Sequence, residues 1–376
     1  MSRHFEVVVV GSGPAGASTA IRLLHEGVTV SIVAIEDTRS CLPGEALAPE
    51  VRTEFRKMGL EEDFPREGLP SYGIEALWGQ EIPAFHSHLC CPAGNGLSVP
   101  RAEFHGALLR AALAAGDCGF SGGQFLVAEK TSGRWIVTIR IGETTETITC
   151  DLLADATGRT AAVARHLGAR RCRVDSLCGI SSVLDFPMTQ QTLVLEATSY
   201  GWWYLTPLNR SQTLVCLISD VDIIQYLSAF HSSSWLGLLK KVKFISSRLG
   251  ALPDEVETRT HPCESGILDR VTGDGWIAVG DAASMVDPLS SIGVLKALKS
   301  GAEAADAIVQ CLAGNTLALS QYENLVGNDF HAYLRTRRRQ YAIESRWSRE
   351  TFWARRMSPS TLEQFRRMRN GVQAPR

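Results

Sequence analysis

Three segments combine residue types and spacing suited to chemistry. GSGPAG at residues 11–16 follows a run of four valines and opens a stretch with helical spacing. In such a turn Gly11 permits the tight reversal, Gly13 lets backbone approach a pyrophosphate, and Gly16 lets the helix pack closely on the strand. Pro14 and Ala15 complete the turn into the helix, whose free N–H groups and positive dipole end suit phosphate. Glu36 closes the next apolar strand about 20 residues beyond Gly16, where a carboxylate accepts from ribose hydroxyls. An acid at that place disfavours a 2′-phosphate, so the expected ligand is FAD or NAD rather than NADP. The competing use of these glycines is a tight structural turn.

The second segment is LLADATGRTAAVAR, residues 152–165, in which a buried strand ends in Asp155 and a helix follows. The third is GWIAVGDAASMVDPLSSIGVLKAL, residues 275–298. There a strand ends in Gly280 and Asp281, a short loop carries Pro288, and a helix starts near Gly293. Asp281 is placed to hold a ribityl hydroxyl. The helix beginning near Gly293 offers N–H groups and a positive dipole end to the electron-rich pyrimidine edge of a flavin. A structural alternative exists for both aspartates, an Asx turn capping a helix.

The elements that must position these motifs are interleaved. The sequence predicts a strand at 7–10, a helix at 15–25, a strand at 28–35 and a helix at 101–115. Strands follow at 124–127, 135–141, 144–150 and 152–156, then a strand-like stretch from 184 to 218 and a strand at 276–279. A helix begins at about 292, and everything after about 317 reads as helix. The expected fold is α/β, a glutathione-reductase-like, Rossmann-type FAD-binding domain with an inserted antiparallel β-sheet substrate domain and C-terminal helices. The expected divisions are 1–70, 101–175 and 264–316 for the discontinuous FAD-binding domain, 71–100 and 176–263 for the substrate domain, and 317–376 for a basic helical segment.

Composition narrows the class. The chain has 376 residues, 45% hydrophobic and 21% charged, with a formal net charge of −2, which excludes disorder and gives no pull toward nucleic acid. The N-terminal apolar run is too short for a signal peptide and no segment is long enough for a membrane span, so a cytoplasmic protein is expected. Ten cysteines are scattered without a CxxC pair, as suits free thiols in a reducing compartment. His86, His88 and Cys90 alternate along a strand face; a solvent-facing strip is favoured over a metal site, and no metal is expected.

The three motifs, in this order and spacing, resemble those of FAD-dependent monooxygenases of the para-hydroxybenzoate hydroxylase type and the related flavin-dependent tryptophan halogenases. The resemblance spans nearly the whole chain. It implies that residues 11–16 and Glu36 bind the ADP half of FAD, that Asp281 binds the ribityl chain, and that Pro288 lines the flavin. It places Arg101, in SVPRAEFHGALL, near the FAD phosphates, and Gly44 and Glu45, in LPGEALAP, beside the isoalloxazine. Val127, Asp155, Gly280 and Gly293 are further expected cofactor contacts. Glu45 and Pro288 are the expected catalytic residues, Glu45 as acid or base. Trp202, Trp203 and Tyr204, in GWWYLTPL, are candidate liners of the substrate pocket, although such a run also suits plain core packing.

Two departures from the halogenases favour oxygen transfer. Halogenases carry a lysine before a Gly-Ile pair; LPSYGIEALWG has Ser71 and Tyr72 there. Their Trp-x-Trp-x-Ile-Pro segment is matched only loosely by GWWYLTPL. The LPGEALAP loop, DPLSSIGVLKALKSG and ESRWSRETFWARR look similar to a smaller branch, flavoproteins that mature tryptophylquinone cofactors of amine oxidases and dehydrogenases. The implied activity is hydroxylation of an electron-rich aromatic ring through a C4a-hydroperoxyflavin, with a peptidyl tryptophan destined for cysteine tryptophylquinone as the finer expectation. O2 is then the co-substrate, and NAD(P)H or an external reductant the electron source. A halogenase, an isoprenoid-type flavin reductase and a non-enzymatic flavoprotein scaffold are the alternatives. Residues 335–376 hold twelve Arg against three Glu, a net of +9. The favoured use is a helical face packed on the acidic body with Trp347, Phe352 and Trp353 buried; the sharper one is docking of an acidic protein subunit.

Overall fold

The computed structural model describes residues 3–35, 44–65 and 68–358. Its first sheet runs in the order Thr272–Gly273, Trp276–Ala278, Thr144–Asp155, Arg3–Val10, Val30–Ala34, Cys118–Gly122. Arg3–Val10 lies parallel to both neighbours, with Val7 opposite Leu152 and Val30. Both faces of that strand are covered, which is why its sequence is a continuous apolar run. The helix Pro14–His25 packs on Gly293–Leu312 at backbone distance. A Cβ on Gly301 would meet Ala15 O at 2.6 Å, and Ser18 Oγ donates to Leu298 O at 2.7 Å.

Residues 144–150 and 152–156, read from sequence as two strands, form one strand, Thr144–Asp155. Its first half pairs antiparallel with Arg134–Ile141 and its second half parallel with Trp276–Ala278. Asp151 breaks the apolar run where the partner changes, but not the ladder.

The second sheet has the order Arg259–Pro262, Leu177–Leu184, Thr213–Asp220, Gly201–Pro207, Leu193–Thr198, Gly73–Leu77, Ala84–Ser87. Its outer face is covered by three short helices, Val221–Tyr226, Ser232–Leu239 and Lys243–Ser246, which the sequence reading did not assign. Trp203 points to that outer face and packs against Trp235, with ring centroids 5.2 Å apart and planes tilted by 54°. A small sheet of Gly44–Leu47, Gly96–Pro100 and Leu69–Ser71 joins the two bodies.

Residues 359–376 of the expected basic helical segment lie outside the described residues. After Leu312 the described residues form two helices, Ala318–Ile343 and Thr351–Met357. They strap the inner face of the second sheet to the first body. Tyr341, Phe352 and Trp353 are fully buried with Trp202, while Trp347 is half-buried at the rim. Trp353 Nε1 donates to Thr198 O at 2.8 Å and Trp202 Nε1 to the Tyr341 hydroxyl at 3.1 Å. Arg356 pairs with Asp220 at 2.7 Å, both side chains 2% exposed. Arg337 and Arg346 are likewise engaged within the molecule, with Asp175, Asp287 and Glu344. The packed-face expectation for this basic segment therefore holds for these arginines, and they offer no docking surface. Among the described residues no helix is long and apolar enough to cross a membrane.

Burial works against the Asp220 carboxylate, but hydrogen bonds and charge from Arg356 and Arg355 outweigh it and hold its pKa below the ordinary value. A depressed carboxylate stabilises the fold above its unfolded pKa, and this contribution is lost as pH falls through the folded value. Arg356→Ala strands a buried charge and should cost about 3–5 kcal/mol in urea unfolding at neutral pH. Arg355→Ala removes a half-exposed partner and should cost under about 1 kcal/mol. The Arg356→Ala penalty should shrink on acidification, because the wild type loses the same pair.

Candidate active site

The glycine turn divides its labour as its spacing implies. Gly11 has φ +115, and a Cβ there would meet Ala156 O at 2.1 Å. A Cβ on Gly16 would meet Gly11 O at 1.9 Å. These two hold helix, turn and strand end together. Gly13 has open space before its Cα, so its missing side chain leaves a cradle a larger residue would fill. Pro14 stands in the first turn of the helix and Ala15 is buried beneath it. The residues present thus fit a pyrophosphate. Glu36 lies outside the described residues.

Asp155 does not share this role. Its Oδ1 accepts from Thr157 N at 2.9 Å and from Thr157 Oγ1 at 2.6 Å, and its Oδ2 from Ala164 N at 2.8 Å. The carboxylate is wholly buried and used up by the turn and the following helix, the Asx-turn alternative. Gly280 has φ +61 and touches Ala15, so it too serves the packing of strand end on helix. Gly44 is held under Leu208, whose Cδ2 a Cβ would meet at 2.4 Å. Val127 is half-buried on Gln124–Thr131.

Asp281 keeps a partly exposed carboxylate. Lys296 Nζ lies 3.4 Å from its Oδ1 and Arg159 Nε 3.9 Å from its Oδ2. Burial lowers the pKa of Lys296, and Asp281 opposes that shift. Arg171 donates to Asp281 O at 3.1 Å, and burial brings its pKa down to about 10. Beyond Asp281 the chain passes through Asp287 into the turn Pro288–Ser290, where Asp287 Oδ1 accepts from Leu289 N at 2.9 Å. The helix Gly293–Leu312 then begins with residues 291–293 exposed, and a Cβ added to Gly293 would meet open space. A 20-residue helix with its first N–H groups open to solvent fits the pyrimidine edge of a flavin.

Across from Asp281 stands Glu45, on Gly44–Leu47, with Arg101 Nε 3.0 Å from its Oε1. Burial raises the Glu45 pKa, Arg101 lowers it, and Asp281 raises it, for a net upward shift that suits an acid–base group. His105 lies one helical turn beyond Arg101. Burial and Arg101 bring its pKa down to about 4, so its imidazole is neutral, and its Nε2 at 3.8 Å from Glu45 is too far for a hydrogen bond.

The inner face of the second sheet closes over this space. Ser181 opposes Cys216, Gly179 opposes His261, and Tyr204 opposes Cys216, so these side chains share one face. One end of the face meets the small sheet, where Ser98 Oγ and Thr206 Oγ1 are 3.4 Å apart. The other end is covered by Trp202, Tyr341 and Trp353. The polar strip between them feels the charges of both walls: Glu45 acts on Tyr204, Arg101 on His261, and Arg159 and Asp287 on Cys263. Of the three expected liners, Tyr204 belongs to this strip and Trp202 to the sealed aromatic end. Trp203 faces away, because strand alternation sends it to the opposite side. Ser181, Cys216, His261 and Cys263 were missed by sequence reasoning; their partners lie far apart along the chain and no local motif marks them. Ala84–Ser87, with His86, is the exposed edge strand, and His88 Nδ1 is 3.0 Å from Ser71 O. Among the described residues no group of three His, Cys, Asp or Glu forms a metal cluster.

Gly13→Val should abolish retention of the yellow cofactor while the flavin-free protein melts at the wild-type temperature. Gly16→Val should instead lower the melting temperature or prevent folding, because its Cβ collides with backbone. Absorbance of the purified proteins and thermal unfolding check both.

A model of the family described as FAD binding domain matches residues 4–324. The chain is 28% identical over 376 residues to the putative FAD-dependent oxidoreductase LodB of Marinomonas mediterranea, covering 96% of this chain and 98% of that one. Its fold is similar to the peptidyl tryptophan dihydroxylase QhpG, essential for tryptophylquinone cofactor biogenesis, with TM-score 0.79, 21% identity, and 95% and 79% of the two chains covered. It is also similar to the myxobacterial chondrochloren halogenase CndH, with TM-score 0.83, 23% identity, and 98% and 90% covered. With the cradle, the open helix end and the family match in agreement, the chain belongs to the FAD binding domain family and is an FAD-dependent oxidoreductase.

Proposed function

We propose that this protein hydroxylates an electron-rich aromatic ring, and that the ring is a tryptophan within a protein that matures into a tryptophylquinone-bearing enzyme. The observation that carries the reading is the chemistry of the polar strip. Ser181, Tyr204, Cys216 and His261 are neutral hydrogen-bonding groups on one sheet face, and none of the inner-face positions of these strands is a lysine. A hypohalous acid would lack an ammonium partner there, whereas an oxygen-transfer site needs a dry wall with placed hydrogen bonds. The similarity of the fold to QhpG supports the same reading.

FAD held there and reduced by NAD(P)H or an external donor would supply, with O2, the electrophilic oxygen atom. The chain does the rest. Gly13 and the first helix hold the phosphates. Asp281 holds the ribityl hydroxyls, itself steadied by Lys296 and Arg159. Burial pushes the Tyr204 hydroxyl well above its ordinary pKa, so it stays a neutral donor beside the Cys216 thiol. Glu45 carries a proton more readily than an exposed carboxyl and sits where Arg101 fixes its orientation. Together they orient the ring, exclude water and keep a proton in hand. The resemblance to CndH favours halogenation as the second reading.

The test is a single turnover. Protein loaded with FAD is reduced with dithionite under argon and then mixed with oxygenated buffer holding bromide and a tryptophan-containing peptide. Mass spectrometry should show the gain of oxygen on the indole; bromine on the ring would establish the halogenase, and an unchanged peptide would contradict hydroxylation of tryptophan. Tyr204→Phe should lower kcat/KM for the productive substrate about tenfold with flavin retention unchanged. Trp203→Ala should leave the reaction in place and cost about 3–5 kcal/mol of stability, as a core truncation does.

A further inference from the structure

His261 is the buried histidine of the polar strip. It is 4% exposed, on the inner face of the edge strand Arg259–Pro262. Its Nε2 is 2.6 Å from Ser181 Oγ, and its Nδ1 has no hydrogen-bond partner. Buried ring nitrogens are rarely left so. The charged and titratable groups acting on it are Arg101, from the helix opposite, and Arg259, on its own strand; the Cys263 thiol stands two residues on. Burial first, then the two arginines, bring its pKa down to about 4, so the imidazole is neutral and carries one proton.

Where that proton sits follows from counting donors. If Nε2–H donated to Ser181, the serine hydroxyl proton and the Nδ1 lone pair would both go unused. If the Ser181 hydroxyl donates to Nε2, a single group is left over, an Nδ1–H donor. The second arrangement leaves one group unmatched where the first leaves two.

We propose that His261, set in its Nδ1–H form by Ser181, is a substrate-binding residue that donates to a carbonyl oxygen carried beside the aromatic ring. This rests on the aromatic-substrate reading above and deepens it. A peptidyl tryptophan supplies such an oxygen from its own backbone; a bare indole or phenol does not. Selection then works by gain: a substrate with the carbonyl satisfies a donor that the free protein leaves buried and unmatched, and a substrate without it does not.

The assignment is tested by binding to the oxidised holoprotein, followed by calorimetry, with N-acetyltryptophanamide and 3-methylindole as probes. The two share the indole, and only the first has carbonyls. Wild type should prefer N-acetyltryptophanamide about tenfold or more. His261→Leu should bind 3-methylindole as wild type does and lose the preference. His261→Asn, whose amide N–H falls near the Nδ1 position, should recover part of it. A preference that survives in His261→Leu, or equal affinity of the probes for wild type, would overturn the assignment. Failure of 3-methylindole itself to bind would count against the aromatic reading of the crevice instead. Independently, a histidine 15N–1H correlation spectrum, assigned through His261→Asn, should show a protonated Nδ1 and a bare Nε2 in wild type. The reverse pattern would also overturn the proposal.

Discussion

Arg337 sits between two buried carboxylates, and the geometry of the site depends on it. Its Nη2 is 2.8 Å from Asp175 and its Nε 3.1 Å from Asp287. Burial opposes the charge on Arg337, and Asp175 and its other neighbours more than offset that opposition. Such a trio is tolerable only when every oxygen is hydrogen-bonded. Here Asp287 also accepts from Leu289 N and the Tyr341 hydroxyl, and Asp175 from Ser265 N. Three pieces distant in sequence are thereby pinned at one point: the approach to the strand Leu177–Leu184, the turn before the helix Gly293–Leu312, and the helix Ala318–Ile343. The Pro288 turn is thus held by a charge network, and its position does not rest on loop packing.

The inner sheet face is organised by what covers each end. Ser98 and Thr206 meet at one end; Trp202, Tyr341, Phe352 and Trp353 seal the other. The middle is polar: Ser181, Cys216 and His261 are buried and Tyr204 is half-buried. A sheet that merely packed on the cofactor body would carry apolar side chains there. That polarity lies between Glu45 and Arg101 on one side and Asp281 and Arg159 on the other. Burial keeps Tyr204, Cys216 and His261 in their neutral forms.

How much of this the sequence disclosed depends on the range of each interaction. The Gly11–Gly13–Gly16 turn is local, so its spacing alone assigned the tight turn, the cradle and the packing contact. Val7 to Val10 announced a doubly covered strand for the same reason. Asp155 shows the limit: an acid at a strand end serves a cofactor or its own turn, and only the hydrogen bonds to Thr157 and Ala164 decide. Trp203 failed as a liner because the period-two alternation, though known, did not say which face was inner. Ser181 and His261 stand 80 residues apart and meet through strand pairing, so no motif contains them. The helices between residues 221 and 246 are short and made by tertiary contact with Trp203 and its neighbours rather than by propensity.

The most direct measurement is a crystal structure of the protein with FAD bound. The account requires the isoalloxazine ring to lie between the start of Gly293–Leu312 and the strip of Tyr204, Cys216 and His261, with Gly13 against the pyrophosphate. A ring lodged anywhere else, or one separated from that strip by intervening protein, would contradict it.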